Sequence, residues 1–150
     1  MSFMFRNQAK MTILIADDDA DDRMFLEQAL RSIGYTQDIQ FVEDGEQLMD
    51  YLKQQGSYSE ANAPWPNLII LDLNMPRKNG FQALEEIKAD ARLRRLPVVV
   101  MTTSSADEDV LRTYNLGVNS YITKPFNFNR LIEMMGALKT YWIDTVKLPE

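Results

Sequence analysis

Five polar residues in this chain stand at the ends of segments rich in strand-forming residues: Asp17, Asp18, Asp72, Thr102 and Lys124. Carboxylates about 4 Å apart repel each other by roughly 4 kcal/mol at an effective dielectric constant near 20, so three together require protons or a cation. Ligation by oxygen alone favours Mg²⁺ over Zn²⁺. A hard cation beside a carboxylate nucleophile, a hydroxyl and an ammonium is typical of phosphoryl transfer. We therefore predict that Asp72 is a nucleophile that forms an acyl phosphate, with Lys124 and Thr102 contacting the phosphoryl oxygens.

These residues can meet only if strands deliver them to one edge of a sheet. Residues 68–71 form an apolar run typical of a strand buried on both faces, and Asp72 follows it directly. Residues 11–16, 39–42, 96–101 and 120–123 predict four more strands, which alternate with amphipathic helical segments. This alternation predicts an α/β fold with a doubly wound parallel sheet of five strands and five helices. In such sheets ligands bind at the carboxyl edge.

Some of the polar residues have simpler explanations. A lone Asp after a strand often only caps a turn. We assign Asp72 a chemical role because Asp17, Asp18, Thr102 and Lys124 also stand at strand ends. Asp19, Asp21 and Asp22 are interpreted as N-cap and first-turn residues of the first helix, where the helix dipole favours negative charge. Ser105 is interpreted as the N-cap of the fourth helix.

Composition excludes several classes of function. The 150 residues predict one domain, with a core of about residues 11–147 and an N-terminal arm at residues 1–10. A net charge of -6 argues against nucleic-acid binding. The chain has no Cys and no His, which excludes disulfides, thiol nucleophiles, His-based catalysis and most zinc sites. No apolar run approaches the ~20 residues of a membrane span and no signal peptide is evident, so we expect a cytoplasmic protein.

The segment 56–67 is about twice as long as usual connections in such folds. It is interpreted either as a partner surface around Trp65 or as a loop whose Trp65 packs down onto the domain, and the sequence does not choose between them. The basic cluster of Arg92, Arg94 and Arg95 is interpreted as a solvated rim.

Over roughly residues 11–145 the sequence resembles the response-regulator receiver domains of two-component signalling. The resemblance lies in the acidic pair Asp17 and Asp18, the segment from Asp72 to Gly80, the strand-end Thr102, and the segment 121–126. Each motif is moderately specific, and their combined order and spacing is very specific. The long loop before the central strand is similar to that of stand-alone receivers that partner phytochrome-type sensor kinases. The resemblance also implies the strand order 2-1-3-4-5 of the CheY-like receiver fold.

The resemblance implies roles for individual residues. Asp72 would accept a phosphoryl group from a phosphohistidine on a sensor histidine kinase, of phytochrome type among the candidates, or on a histidine phosphotransfer protein. Mg²⁺ would be bound directly by Asp18 and Asp72, by the backbone carbonyl of Asn74, and by Asp17 through water. The Lys124 ammonium and the Thr102 hydroxyl would contact the phosphoryl group.

The family also implies a switch. Tyr121 would turn inward as Thr102 is drawn to the phosphate, although a strand tyrosine without a switching role is the simpler alternative. The bond between Lys124 and Pro125 would be cis. Phosphorylation would bias one of two packings of the surface formed by the fourth helix, fifth strand and fifth helix. A homodimer through that surface and a monomer with a packed Trp142 both fit the sequence.

We expect a receiver without an output domain, which is not an enzyme beyond its own phosphotransfer and autodephosphorylation. One alternative is a Mg²⁺-dependent phosphohydrolase, but Asn74 stands where such an enzyme would carry a second carboxylate. The other is a pseudo-receiver that acts only as an interaction module, and the complete residue set argues against it. Asn74 and Ser104 occupy positions that tune acyl-phosphate lifetime in the family, and Thr103 replaces a smaller residue of many receivers.

Overall fold

The computed structural model describes residues 10–149, so the arm predicted for residues 1–10 lies, except for Lys10, outside the described residues. Strands and helices alternate along the chain, with one short 3₁₀ helix before the fourth strand and a π-helical turn after the last helix. The elements are β1 (Thr12–Ala16), α1 (Ala20–Ser32), β2 (Asp38–Val42), α2 (Gly45–Lys53), β3 (Leu68–Leu71), α3 (Gly80–Ala89), a 3₁₀ helix (Leu93–Arg95), β4 (Val98–Thr102), α4 (Asp107–Asn115), β5 (Ser120–Thr123), α5 (Phe128–Leu138) and the π-helical turn (Lys139–Ile143).

The sheet confirms the predicted topology. Its five strands pair in parallel in the order β2-β1-β3-β4-β5. The order reverses between β1 and β3, because β1 connects outward to β2 while β3 continues towards β4. Ligand sites in open α/β sheets lie beyond the carboxyl ends of the strands at such a reversal, so β1 and β3 determine where a site can form.

Alternate strand residues enter two separate cores, one on each face of the sheet. Leu14, Ile69 and Val100 pack on one face with the buried residues of α2 and α3. The residues beside them in sequence point to the opposite face, where Ile13 and Ile70 pack with those of α1 and α5. Every residue of β1, β3 and β4 is buried. Because both faces are covered, the strand backbones are firmly held and the residues that follow them are accurately placed.

The long segment before β3 packs onto the domain. Trp65 is half-buried against the first core, and the Arg92 guanidinium lies 4.4 Å from the centre of its ring. The Tyr51 hydroxyl donates a hydrogen bond of 2.6 Å to the Pro64 carbonyl. The structure therefore favours the interpretation in which Trp65 packs down, and it gives Arg92 a stacking role beyond that of a solvated rim.

Two helix ends differ from the sequence-based expectation. The prediction of Ser105 as the N-cap of α4 is wrong, because α4 begins at Asp107 and its N-cap is Ala106, which offers no side-chain hydrogen bond. The hydroxyl at this turn is that of Ser104, which accepts from the Ala106 N–H at 3.3 Å and donates to Asp109 at 2.6 Å. The apolar periodicity from Leu131 to Trp142 predicts a last helix that ends near Lys147, yet the α-helical part ends at Leu138.

The early end of α5 has a local cause. The Thr140 hydroxyl donates to the Gly136 carbonyl at 2.9 Å, a side-chain contact of the kind that competes with backbone hydrogen bonds and bends helices, and the chain widens here into the π-helical turn. Trp142 is half-buried against the second core, and Tyr141 is 55% exposed.

Among the residues that the structure describes, no helix combines the length and apolar character needed to cross a bilayer.

Candidate functional site

Three carboxylates meet where β1 and β3 end. The Asp72 N–H donates to the Ala16 carbonyl at 2.9 Å, which extends the β1–β3 pairing by one residue and sets Asp72 beside Asp17. Asp17, Asp18 and Asp72 each present a carboxylate oxygen, and these oxygens all lie within 4.8 Å of one another. The sequence-based expectation that β1 and β3 deliver their acids to one place is met in the geometry.

Two of these carboxylates are buried and the third faces solvent. Asp17 is 2% exposed and Asp72 is 6% exposed, whereas Asp18 is exposed. Each buried carboxylate accepts one hydrogen bond from a nearby backbone N–H, from Asp19 to Asp17 at 2.9 Å and from Asn74 to Asp72 at 3.1 Å. These bonds fix one oxygen of each side chain and leave the other directed into the cluster.

Lys124 bridges the buried carboxylates. The backbone N–H of Lys124 donates to the Thr102 carbonyl at 2.7 Å, which anchors Lys124 at the end of β5. Its ammonium Nζ lies 2.8 Å from Asp17 Oδ2 and 2.8 Å from Asp72 Oδ2. A further oxygen, Asp22 Oδ2, lies 2.7 Å from the same nitrogen. The ammonium therefore sits within hydrogen-bond distance of three carboxylates.

Burial and charge act oppositely on the groups of this cluster. Burial alone would lower the pKa of Lys124, but hydrogen bonds to three carboxylates outweigh burial and raise the pKa above its ordinary value. Burial raises the pKa of Asp17 above its ordinary value, and the hydrogen bond from Lys124 offsets this only in part. Asp18 adds a fourth carboxylate to the three that contact the one ammonium, so three negative charges are uncompensated when all four are ionised. This oxygen-rich, negatively charged donor set fits a hard divalent metal ion.

Asp22 was missed as a member of this cluster by sequence reasoning, which gave it only a first-turn role on α1. The position of Asp22 in the helical repeat could have indicated this contact. Asp22 lies four residues before Leu26 and seven before Ala29, on the side of the helix that faces the core. Asp21 is one position off that side and is exposed. The Asp22 side chain is 37% exposed, and its position on this side of the helix brings its carboxylate to the Lys124 ammonium.

Thr102 lies at the rim of the cluster. It is the last residue of β4, fully buried, and its Oγ1 is 3.5 Å from Asn74 Nδ2, which is a weak contact at most. Asn74 is exposed in the loop after Asp72. Thr103, which follows Thr102 in sequence, is also exposed. The hydroxyl of Thr102 is thus oriented towards the loop that follows Asp72.

Tyr121 is joined to the loop between β4 and α4. Its ring is half-buried against the first core, and its hydroxyl donates to the Ser104 carbonyl at 2.8 Å. Its backbone N–H donates to the Tyr114 hydroxyl of α4 at 3.2 Å. Burial raises the pKa of Tyr121. The structure therefore connects Tyr121 to the residues after Thr102, and not to the carboxylates.

The expectation of a cis bond between Lys124 and Pro125 is wrong, because residues 10–149 contain no cis peptide bond. The trans isomer is intrinsically favoured by about 0.5–1 kcal/mol before proline. With the trans bond the Lys124 ammonium reaches all of its carboxylate partners. The contacts of the ammonium therefore give no reason for the disfavoured isomer.

Two glycines hold the loop of residues 73–79 against the site. The Gly80 N–H donates to the Leu73 carbonyl at 2.9 Å, and a Cβ at Gly80 would lie 2.5 Å from the Asp72 carbonyl oxygen. The Gly45 N–H donates to the Lys78 carbonyl at 2.9 Å, and a side chain there would collide with the Lys78 backbone. Only glycine permits both approaches, so the loop that carries Asn74 is clamped at both ends.

The fold and the cluster together define a class: a doubly wound α/β protein whose topological reversal carries an acidic, lysine-bridged site suited to a divalent cation and a phosphoryl group. The family described as response regulator receiver domain matches residues 13–136. This chain belongs to that family and is a two-component response regulator. Membership implies a histidine kinase as its partner in phosphorelay signalling.

Known relatives agree along nearly the whole chain. The response regulator Rcp1 of Synechocystis is 41% identical over 143 residues, which are 95% of this chain and 95% of Rcp1. The phosphorylated cyanobacterial phytochrome response regulator RcpA has a TM-score of 0.88 at 39% identity, covering 95% of this chain and 100% of RcpA. The Mn²⁺-bound form of Rcp1 has a TM-score of 0.85 at 40% identity, covering 93% of this chain and 99% of that structure.

Proposed function

We propose that this protein accepts a phosphoryl group on Asp72 in a Mg²⁺-dependent reaction and passes the signal to a protein partner through a conformational change. The observation that carries the proposal is the position of the Lys124 ammonium, 2.8 Å from both Asp17 and Asp72 in a site that contains three candidate metal ligands. Asp72 is the acceptor because it is the buried carboxylate at the end of the central strand, where Asn74 orients it.

In this reaction an Asp72 carboxylate oxygen attacks phosphorus and forms the acyl phosphate. The bond from phosphorus to the donor histidine nitrogen breaks, and the imidazole leaves with that electron pair. Mg²⁺ would neutralise charge on the phosphoryl oxygens. Asp18 and Asp72 would hold the ion directly, together with the backbone carbonyl of Asn74, and Asp17 would hold it through water. Lys124 would move its hydrogen bond from the Asp72 carboxylate to a phosphoryl oxygen.

Thr102 and Tyr121 would convert this local change into a signal. Thr102 would turn its hydroxyl from the weak Asn74 contact to a phosphoryl oxygen, drawing the end of β4 with it. The Ser104 carbonyl, two residues further on, holds the Tyr121 hydroxyl. A shift of this loop would therefore free Tyr121 to turn inward, and the surface of α4, β5 and α5 would adopt its second packing.

The partner is proposed to be a sensor histidine kinase of phytochrome type or a histidine phosphotransfer protein. The support is the likeness to a phytochrome response regulator along nearly the whole chain. The surface of α4, β5 and α5 carries exposed apolar side chains, with Leu111 63% exposed and Tyr114 48% exposed. We propose this surface for the downstream partner or for a second copy of the chain. Catalysis is proposed to be limited to the protein's own phosphorylation and dephosphorylation.

The test uses acetyl phosphate as the donor. With Mg²⁺ present, intact-mass measurement should show one added phosphate on the wild type and none on Asp72→Asn, because an amide is not a phosphoryl acceptor at this position. Asp21→Asn is the matched control, since it removes one exposed carboxylate of α1 and should be labelled like the wild type. Equal labelling of Asp72→Asn would refute the proposal. Steady turnover of a phosphomonoester would instead favour a phosphohydrolase.

A further inference from the structure

Asp22 completes the coordination of the Lys124 ammonium. A lysine ammonium has three N–H donors and no acceptor, and the three oxygens within 2.8 Å of Nζ belong to Asp17, Asp22 and Asp72. Asp17 and Asp72 are also candidate metal ligands. Asp22 lies outside the set of candidate metal ligands, and its contact with Lys124 is as short as theirs.

The position of Asp22 is fixed by the start of α1. Its backbone N–H donates to the Asp19 carboxylate at 3.1 Å in the N-cap of the helix. The next residue, Arg23, donates to the Asp17 carbonyl at 2.8 Å and pairs with Glu43 at 3.3 Å. The first turn of α1 is thus bound to the end of β1. These contacts fix the backbone position of Asp22 and so the point from which its carboxylate reaches Lys124.

The Lys124 side chain is only 12% exposed, but it borders a pocket. A cavity of about 270 Å³ lies between α1, the segment after β5 and α5, and both Asp22 and Lys124 line it. The rest of its lining is largely apolar, with Phe25, Leu26 and Met101 among the residues. Loss of the Asp22 contact would leave this cavity as space into which the ammonium could move, so the contact with Asp22 is a restraint on the cavity side.

We propose that Asp22 is a positioning residue for Lys124. By accepting the third N–H of the ammonium, Asp22 keeps Nζ between Asp17 and the atom that takes the place of the Asp72 oxygen after phosphorylation. A phosphoryl group that arrives on Asp72 then meets a lysine already aimed at it, with two donors still bound to Asp17 and Asp22. The role rests on the proposed function, because it concerns the lysine of that site.

The kinetic test compares Asp22→Ala with Asp22→Asn at saturating Mg²⁺ and acetyl phosphate. We expect the phosphorylation rate of Asp22→Ala to fall about fivefold to tenfold, since small misplacement of a catalytic group can cost up to ~100-fold. Asp22→Asn retains an oxygen that can accept the Lys124 hydrogen bond, and it should recover part of the lost rate. Asp21→Ala is the matched control for loss of a charge on the same helical turn, and its rate should remain within about twofold of the wild type.

A second measurement needs neither metal nor phosphoryl donor. In lysine-labelled, metal-free protein the ¹⁵N–¹H signal of the Lys124 ammonium, assigned by its absence in Lys124→Met, should be protected from exchange in wild type and Asp21→Ala. The signal should be lost in Asp22→Ala, while circular dichroism confirms an unchanged fold. A persisting signal overturns the proposal, and so does an Asp22→Ala rate that equals or exceeds the wild-type rate. If the wild type is not phosphorylated at all, the proposed function fails, and the ammonium signal still decides whether Asp22 positions Lys124.

Discussion

The β1–β3 half of the sheet and the neighbouring α4–β5 region differ in how firmly packing holds them. Every residue of β1 and β3 is buried, whereas no residue of β5 is. In α4 the only buried residue is Thr113. Regions with few buried apolar contacts open at lower free energy than the core does. The buried carboxylates of the site thus stand on the firm half and Lys124 reaches them from the end of β5, while the proposed movement takes place where less packing must be disrupted.

The largest expected effect tests the packing difference itself. Leu71, fully buried directly before Asp72, should lose about 2–5 kcal/mol of unfolding free energy when replaced by Ala, because a cavity remains in the core. The control is Leu111→Ala on α4, where the side chain is 63% exposed and the change should stay within about 0.5 kcal/mol. Urea unfolding monitored by fluorescence measures both. Similar losses at the two positions would remove the contrast between the two regions.

The next effect concerns the clamp on the loop after Asp72. Gly80→Ala places a Cβ 2.5 Å from the Asp72 carbonyl oxygen, so the loop must shift, at a cost of about 1–3 kcal/mol. Because the displaced loop carries the proposed carbonyl ligand of Asn74, Mg²⁺ affinity should also fall by about tenfold.

Gly136→Ala is the matched control for this substitution. A Cβ there meets Ile33 Cγ2 at 3.9 Å, an ordinary contact, and alanine should stabilise α5 by about 0.5–1 kcal/mol. Calorimetric titration with Mg²⁺ and thermal unfolding distinguish the two variants. Unchanged Mg²⁺ affinity in Gly80→Ala would mean that the loop backbone does not contribute to the metal site.

The same contrast explains which parts of the structure could be predicted from the sequence. Asp17 and Asp72 could be placed together because parallel strands end at one edge, and buried apolar runs identify those strands reliably. The meeting of Asp22 with Lys124 is harder to predict, since the apolar stripe shows which side of α1 faces the core but not that the segment after β5 lies beside its first turn, which long-range packing sets.

The sequence-based predictions failed, or left alternatives open, where the outcome depends on details of the three-dimensional structure. Ser105 was assigned the cap of α4, but a shift of one residue gives the hydroxyl contacts of that turn to Ser104. The trans bond at Lys124 differs from what the resemblance implies, and residue types alone do not determine the isomer before a proline. Trp65 was left open, because its packing depends on the stacking of Arg92 from a distant segment. The cap and the proline bond depend on local backbone geometry and the packing of Trp65 on a distant segment, and residue types alone determine neither.

The smallest effect tests the α4–β5 region. Tyr121→Phe removes the hydrogen bond to the Ser104 carbonyl and should lower the unfolding free energy by about 0.5–1.5 kcal/mol at neutral pH. Burial raises the pKa of Tyr121 above the ordinary value of 10.0. A raised folded-state pKa means that the contribution is fully present below pH 10.0 and is lost as pH rises through the folded-state value. The difference between wild type and variant should therefore shrink in alkaline solution.

Comparing the wild type with the variant isolates this one hydroxyl, because Tyr35 and Tyr51 are present in both proteins and their titrations cancel. Tyr141→Phe controls for removal of a more exposed tyrosine hydroxyl and should change stability by no more than about 0.5 kcal/mol. Hydrogen exchange adds the local readout: amides of the loop between β4 and α4 should exchange faster in Tyr121→Phe, while those of β1 and β3 should not change. Faster exchange in β1 or β3 would show that the two regions are coupled even without phosphorylation, and the division between a firm charged half and a movable neighbour would no longer hold.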